Sequence, residues 1–78
     1  MNITLEYKQE IFKVSVAKGT DKMLVSSIDG SGQTFFVKRG ETIYDTLNDV
    51  SYGLNRLGYK MTSHRIAESG DIFLVCEP

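Results

Sequence analysis

Residues 40–58, with the sequence GETIYDTLNDVSYGLNRLG, decide the fold because they hold the strongest amphipathic pattern in the chain. Apolar side chains recur there at spacings of four, three, four and three residues, so they fall on one stripe of an α-helix. Thr42 suits the N-cap with Asp45 as its capping-box partner, and Gly58 suits the position that ends a helix. The pattern predicts a helix over residues 43–57. Its apolar stripe consists of Ile43, Leu47, Val50, Leu54 and Leu57.

One glycine leaves the C-terminal end of this helix open. Gly53 lies inside the pattern, where a glycine costs a helix about 1 kcal/mol relative to alanine. The sequence therefore leaves two possibilities, a helix that continues to residue 57 or one that ends near Tyr52.

Short apolar runs flank the helix on both sides, and their period of two predicts β-strands. Polar and glycine-containing turns separate them, including Gly30-Ser31-Gly32 and residues 68–71. The resulting order, four strands, the helix and two more strands, predicts one α+β domain over residues 1–78. One amphipathic helix must be covered, so we expect a curved, mostly antiparallel sheet of about five to six strands across its apolar side. The predicted strands are residues 2–8, 11–17, 22–29, 34–38, 59–66 and 72–76.

The charge balance and the cysteine count of the chain make some classes of protein less favourable than others. Nine Lys and Arg oppose ten Asp and Glu, giving a formal net charge of −1 and a pI near 5.7, so the positive excess typical of nucleic-acid binders is missing. A single cysteine cannot form an internal disulfide, which favours a reducing compartment. The sequence shows neither a long apolar run nor a signal-peptide pattern. We therefore expect a cytoplasmic protein that does not enter a membrane.

No catalytic, metal or cofactor motif stands out. Cys76 and His64 are the only residues of their types, and Cys76 lies in an apolar strand where a thiol acts as a small hydrophobic group. Gly30-Ser31-Gly32 leads into a strand, whereas a phosphate-binding loop leads into a helix, so a hairpin turn is predicted. The sequence predicts a protein that is not an enzyme and uses no metal or cofactor.

The polar side of the predicted helix carries an unexpected aromatic residue. At 100° per residue, Tyr52 lies opposite the apolar stripe, where it gains nothing from the domain's own core. Tyrosine is enriched among the residues that dominate protein interfaces, although single exposed tyrosines are also common. Of the adjacent Phe35 and Phe36, one is expected to be exposed, and Phe36 is taken as the candidate. The predicted partner-binding set is Tyr44, Asn48, Asp49, Tyr52, Arg56 and Phe36.

The function predicted by elimination is a non-enzymatic protein-interaction module that covers a partner's surface. Small inhibitors of host defence complexes from phages or mobile elements, such as anti-CRISPR proteins, fit this size and lack of motifs. The alternative is a small nucleic-acid-binding regulator in which an exposed phenylalanine stacks on bases. Homo-oligomerisation through an unpaired sheet edge is a third possibility. The basic residues of the nucleic-acid alternative are Lys38, Arg39, Lys60, His64 and Arg65.

Two short stretches resemble known families. Residues 37–43, VKRGETI, are similar to the opening of a LysM peptidoglycan-binding module, which continues with a second helix where strands are predicted here. The size, the hairpin-then-helix order and the Gly70-Asp71-Ile72 entry to the last strand resemble β-grasp, ubiquitin-like sulfur carriers. Those carriers act through a C-terminal Gly-Gly, whereas this sequence has Cys76-Glu77-Pro78. Neither resemblance assigns the chain to a family.

Overall fold

The computed structural model describes residues 9–78, which form a five-stranded sheet and one α-helix. The predicted α+β architecture is confirmed, and the strand predicted over residues 2–8 lies outside the described residues. The elements are β1 (Glu10–Val16), β2 (Lys22–Asp29), β3 (Thr34–Lys38), α1 (Ile43–Arg56), β4 (Lys60–Ile66) and β5 (Ile72–Glu77).

The strand order across the sheet is β3-β2-β1-β5-β4, and every neighbouring pair is antiparallel. Three of these pairs are hairpins formed by consecutive elements. The fourth joins β1 to β5 at the centre, with Glu10 opposite Cys76. Since β3 and β4 are the two edges, α1 carries the chain from one edge of the sheet to the other.

The core lies between α1 and one face of the sheet, which we call the covered face. Alternate residues of the central strands point toward the helix, and Phe12 of β1 also makes an edge-on ring contact with Tyr59, at a centroid distance of 5.3 Å. Phe35, Val37, Ile43, Tyr59 and Met61 pack around this core. The buried apolar residues are Phe12, Val14, Met23, Val25, Leu47, Val50, Leu54, Ile72, Leu74 and Cys76.

Both predicted ends of α1 are confirmed to within one residue. The Thr42 hydroxyl accepts from the backbone N–H of Asp45 at 3.2 Å, and the Asp45 carboxylate accepts from the backbone N–H of Thr42 at 3.3 Å. Leu57 is the C-cap and Gly58 follows with a φ of 90°, a left-handed conformation that favours glycine. Leu57 was predicted to belong to the apolar stripe, but it lies beyond the last helical turn and is 42% exposed.

Gly53 does not end the helix; it lets a strand approach the helix closely. A Cβ atom at Gly53 would stand 2.5 Å from Cε2 of Phe35, well inside van der Waals contact. The Phe35 ring therefore packs directly against the helix backbone. This contact places Phe35 on the covered face, and the alternation of β3 then directs Phe36 to the opposite side.

Candidate interaction surfaces

The outer face of α1 presents two tyrosines to solvent. Tyr44 is 76% exposed and Tyr52 is 67% exposed, while Leu47, Val50 and Leu54 on the opposite side hold the helix to the sheet. Tyr44 and Tyr52 are eight residues apart, which corresponds to about 12 Å along a helix. Five of the six residues predicted to bind a partner lie together here and form what we call the helix face: Tyr44, Asn48, Asp49, Tyr52 and Arg56.

Phe36, the sixth predicted residue, belongs to a different surface. It is 60% exposed, so it is the accessible member of the Phe35-Phe36 pair. Its cross-strand partner is Leu24, on the face of the sheet that α1 does not cover. The structure therefore separates Phe36 from the helix face by the full thickness of the domain.

The basic residues of the nucleic-acid alternative are not gathered into one patch. Lys38 and Arg39 lie at the β3 edge, whereas His64 and Arg65 lie on β4 at the other edge. Four interstrand spacings of about 4.8 Å separate these edges, or roughly 19 Å. Lys60 lies directly opposite Glu77 in the β4–β5 register, so its charge has a neighbouring carboxylate.

A different set of cations shares the side of the sheet opposite the helix, which we call the open face. The register makes Lys22 the cross-strand partner of Lys38, and it makes Phe73 the partner of Lys13 on one side and of Arg65 on the other. Strand alternation identifies Lys13 and Lys22 as members of this face, but one sequence does not reveal the strand order that brings them beside Phe36 and Phe73.

One end of the open face is an apolar groove. Phe73 and Val75 of β5 line it together with Ile11 and Ile28, and the β4 residues Ser63, His64 and Arg65 form its rim. Ile28 is 53% exposed. The groove thus joins an apolar floor to a basic edge.

A buried carboxylate stands at the corner between β1, the β2–β3 turn and the residue that precedes β4. Glu10 accepts hydrogen bonds from the backbone N–H of Ser31 at 3.1 Å, from the Ser31 hydroxyl at 2.8 Å and from the Tyr59 hydroxyl at 3.0 Å. Burial alone would raise the pKa of Glu10, but these hydrogen bonds outweigh it and the pKa is lowered from its ordinary value of 4.5. All three donors are supplied by the fold itself, which gives Glu10 a structural role.

Cys76 and His64 lie on neighbouring strands but are not cross-strand partners. Cys76 is fully buried, and burial together with the nearby Glu10 carboxylate raises the pKa of its thiol to about 11. In the β4–β5 register His64 lies opposite Leu74, whereas Cys76 lies opposite Met61. The thiol therefore stays protonated and serves as a core side chain. Within residues 9–78, no three His, Cys, Asp or Glu side chains are grouped so that they could hold a metal ion.

The chain had no match when it was compared with protein-family models, with curated proteins and with solved structures. Across residues 9–78, no helix is both long enough and apolar enough to cross a membrane. The class of the protein is therefore described by its architecture. It is a small antiparallel α+β domain with an aromatic helix face and a basic open face.

Proposed function

We propose that this chain is a non-enzymatic protein-interaction module that covers part of a partner protein with its helix face. The observation that carries the proposal is the exposure of Tyr44 and Tyr52 on one ridge of a single helix. Tyrosine supplies a large contact area at a low cost in side-chain entropy and is enriched among interface hot spots. Asn48 lies between the two rings at a spacing of four residues from each, and Arg56 extends the ridge by one more turn.

The helix face is held in a fixed position before any partner arrives. The capping box at Thr42 and Asp45 fixes the first turn, and the contact between Gly53 and Phe35 fixes the last third of α1. A surface that is already ordered loses less conformational entropy on binding, which favours affinity. The geometry thus supports recognition by a rigid helix ridge.

We further propose that the partner is a component of a host defence complex, and that the chain is a phage or mobile-element inhibitor of the anti-CRISPR kind. This part of the proposal depends on the small size of the domain and on the lack of a catalytic motif. An inhibitor of this kind would act by covering a surface that the defence complex needs.

The test compares the intact chain with a Tyr44→Ala/Tyr52→Ala variant. Proteins captured by each are identified by mass spectrometry, and the affinity of the partner is then measured by calorimetry. One hot-spot residue contributes at least about 2 kcal/mol, so the variant should bind at least about 30-fold more weakly when either tyrosine is a hot spot. Lys18→Ala, in the exposed β1–β2 turn, is the control and should bind like the intact chain. Equal affinity of the tyrosine variant and the intact chain would exclude the helix face.

A further inference from the structure

We infer that the open face of the sheet is a binding site for single-stranded nucleic acid. This inference goes beyond the proposed function, because the open face lies on the opposite side of the domain from the helix face. The observation behind it is a repeated arrangement, in which each of two phenylalanines on this face has two cationic neighbours.

The first unit is centred on Phe73 of β5. Its cross-strand neighbours are Lys13 of β1 and Arg65 of β4, so a cation stands on each side of the ring. Lys13 also forms an ion pair with Asp71 at 3.5 Å, which offsets part of its charge. Arg65 and Phe73 both line the groove on this face.

The second unit is centred on Phe36 of β3. Lys38 is two residues further along the same strand and therefore on the same face, and Lys22 lies opposite Lys38 on β2. All three side chains are exposed. The ring is 60% exposed, so it is available for stacking.

The spacing of the two units suits a short nucleic-acid strand. Phe36 and Phe73 are three interstrand spacings apart laterally and two residues apart along the strands, which gives a separation of roughly 16 Å. Sheet-based binders hold single strands by stacking two or three bases on aromatic side chains while cations neutralise the phosphates. Duplex bases are already stacked and paired, so a duplex would offer the rings little to contact.

Charge distribution favours a polyanion on this face despite the net charge of −1. The acidic residues Glu41, Asp45 and Asp49 lie in or beside α1, on the other side of the domain. Local potential, not the total charge, governs how a polyanion approaches a surface. Lys13, Lys22, Lys38 and Arg65 can together neutralise three or four phosphates, while Asp71, which is paired with Lys13, and Glu77 are acidic residues at the same face.

The test measures fluorescence anisotropy of a labelled single-stranded oligonucleotide of about 12 nucleotides, within the site sizes of single-strand binders. The full chain should bind it more tightly than the same sequence as a duplex. The slope of log affinity against log salt should be about −2 to −3, because each neutralised phosphate contributes about −0.7 for single strands. No binding at low salt, or tighter binding of the duplex, would overturn the inference.

Substitutions then locate the site. Phe36→Ala and Phe36→Leu should each weaken binding about tenfold, since both remove the ring that stacks. A purely apolar contact with a protein would tolerate leucine, so full binding by Phe36→Leu would overturn the inference. Lys38→Ala should reduce the salt slope by about 0.7, whereas the matched control Lys18→Ala should not. An equal effect of both lysines would show nonspecific attraction, which also overturns it.

These variants separate the inference from the proposed function. Phe36 and Lys38 are exposed edge-strand residues, so circular dichroism should show an unchanged fold, and Arg65→Ala provides a second cation variant at the opposite edge. The Tyr44→Ala/Tyr52→Ala variant should bind the oligonucleotide like the intact chain. If a partner protein is lost in the Phe36 variants and no oligonucleotide binds, the open face contacts protein and the inference fails.

Discussion

The two faces of the sheet are built from the same five strands but differ in how deeply their side chains are buried. On the covered face, Val14, Val25 and Leu74 are completely buried beneath α1. On the open face, Lys13 and Ser26 are cross-strand partners in the row next to the one that pairs Val14 with Val25. Among the described residues, every buried apolar side chain of the sheet belongs to the covered face, so the open face contributes less to the core.

Phe35 and Phe36 show the comparison at its smallest scale. They are adjacent and chemically identical, and only strand alternation separates them. Phe35 packs against the backbone at Gly53, whereas Phe36 is 60% exposed beside Leu24. The same residue type therefore belongs to the core at one position and to the solvent-exposed surface at the next.

The largest expected difference between the faces is in how much stability is lost when a leucine side chain is truncated to alanine. Leu54→Ala should lower the free energy of unfolding by about 2–5 kcal/mol, because it leaves a cavity under the helix. Leu24→Ala on the open face, the matched control, should cost less than about 1 kcal/mol. Urea denaturation followed by circular dichroism measures both. Similar losses for the two leucines would mean that something covers the open face in solution.

The second prediction concerns the buried Glu10 carboxylate and its hydrogen bonds to Ser31 and Tyr59. Glu10→Ala leaves the Tyr59 and Ser31 donors without their acceptor, so the free energy of unfolding should fall by about 1–3 kcal/mol. Glu68→Ala, in the exposed β4–β5 turn, is the control and should change it by less than about 0.5 kcal/mol. Urea denaturation at neutral pH checks both values. Equal stability of the two variants would contradict the role assigned to Glu10.

The hydrogen bonds of Glu10 also predict that the free energy of unfolding depends on pH. The pKa of Glu10 in the folded state is lowered from its ordinary value of 4.5, so the charged carboxylate is favoured by folding. Its contribution is therefore complete above the unfolded pKa and is lost as the pH falls through the folded pKa. Denaturation curves between about pH 5 and pH 2 should show a loss of stability with acidification that is smaller in Glu10→Gln than in the intact chain. Parallel pH profiles for the two proteins would contradict the prediction.

The smallest predicted change in stability is that of Gly53→Ala, and its direction is opposite to the one that helix propensity alone predicts. Alanine is favoured over glycine within a helix by about 1 kcal/mol, so Gly53→Ala should stabilise α1 considered alone. Because the new Cβ would stand 2.5 Å from the Phe35 ring, we expect instead a net loss of about 1 kcal/mol or more. Combining it with Phe35→Leu should recover part of the loss. A stabilised Gly53→Ala protein would show that the ring moves aside freely.

Local patterns in the sequence predicted most of the fold. The capping box at Thr42, the C′ glycine at Gly58 and the Gly30-Ser31-Gly32 hairpin turn each follow from the chemistry of neighbouring residues, and the structure contains all three. The sequence does not decide whether α1 ends near Gly53. The reason for that glycine is a contact with Phe35, which is 18 positions away in the chain.

The candidate surfaces were predictable only in part. The helix face follows from a single helical period, so its five members could be named from the sequence. The open face requires the strand order β3-β2-β1-β5-β4, which depends on pairings between distant segments. For that reason the sequence does not show that Phe36 lies on a different face from the helix residues, or that Lys13, Lys22 and Phe73 share that face with it.

The position of β5 between β1 and β4 has a consequence for how the domain assembles. Contacts between neighbouring segments can form the β1–β2–β3 meander early, but β4 can join it only through β5, since Glu10 pairs with Cys76 at the middle of the sheet. Closing so long a loop is slow compared with hairpin formation. On a ribosome, α1 can pack against β3 early, but the apolar side chains that pack beside β5 stay exposed until residue 77 has emerged, and a chaperone or a neighbouring nascent chain could bind them in that interval.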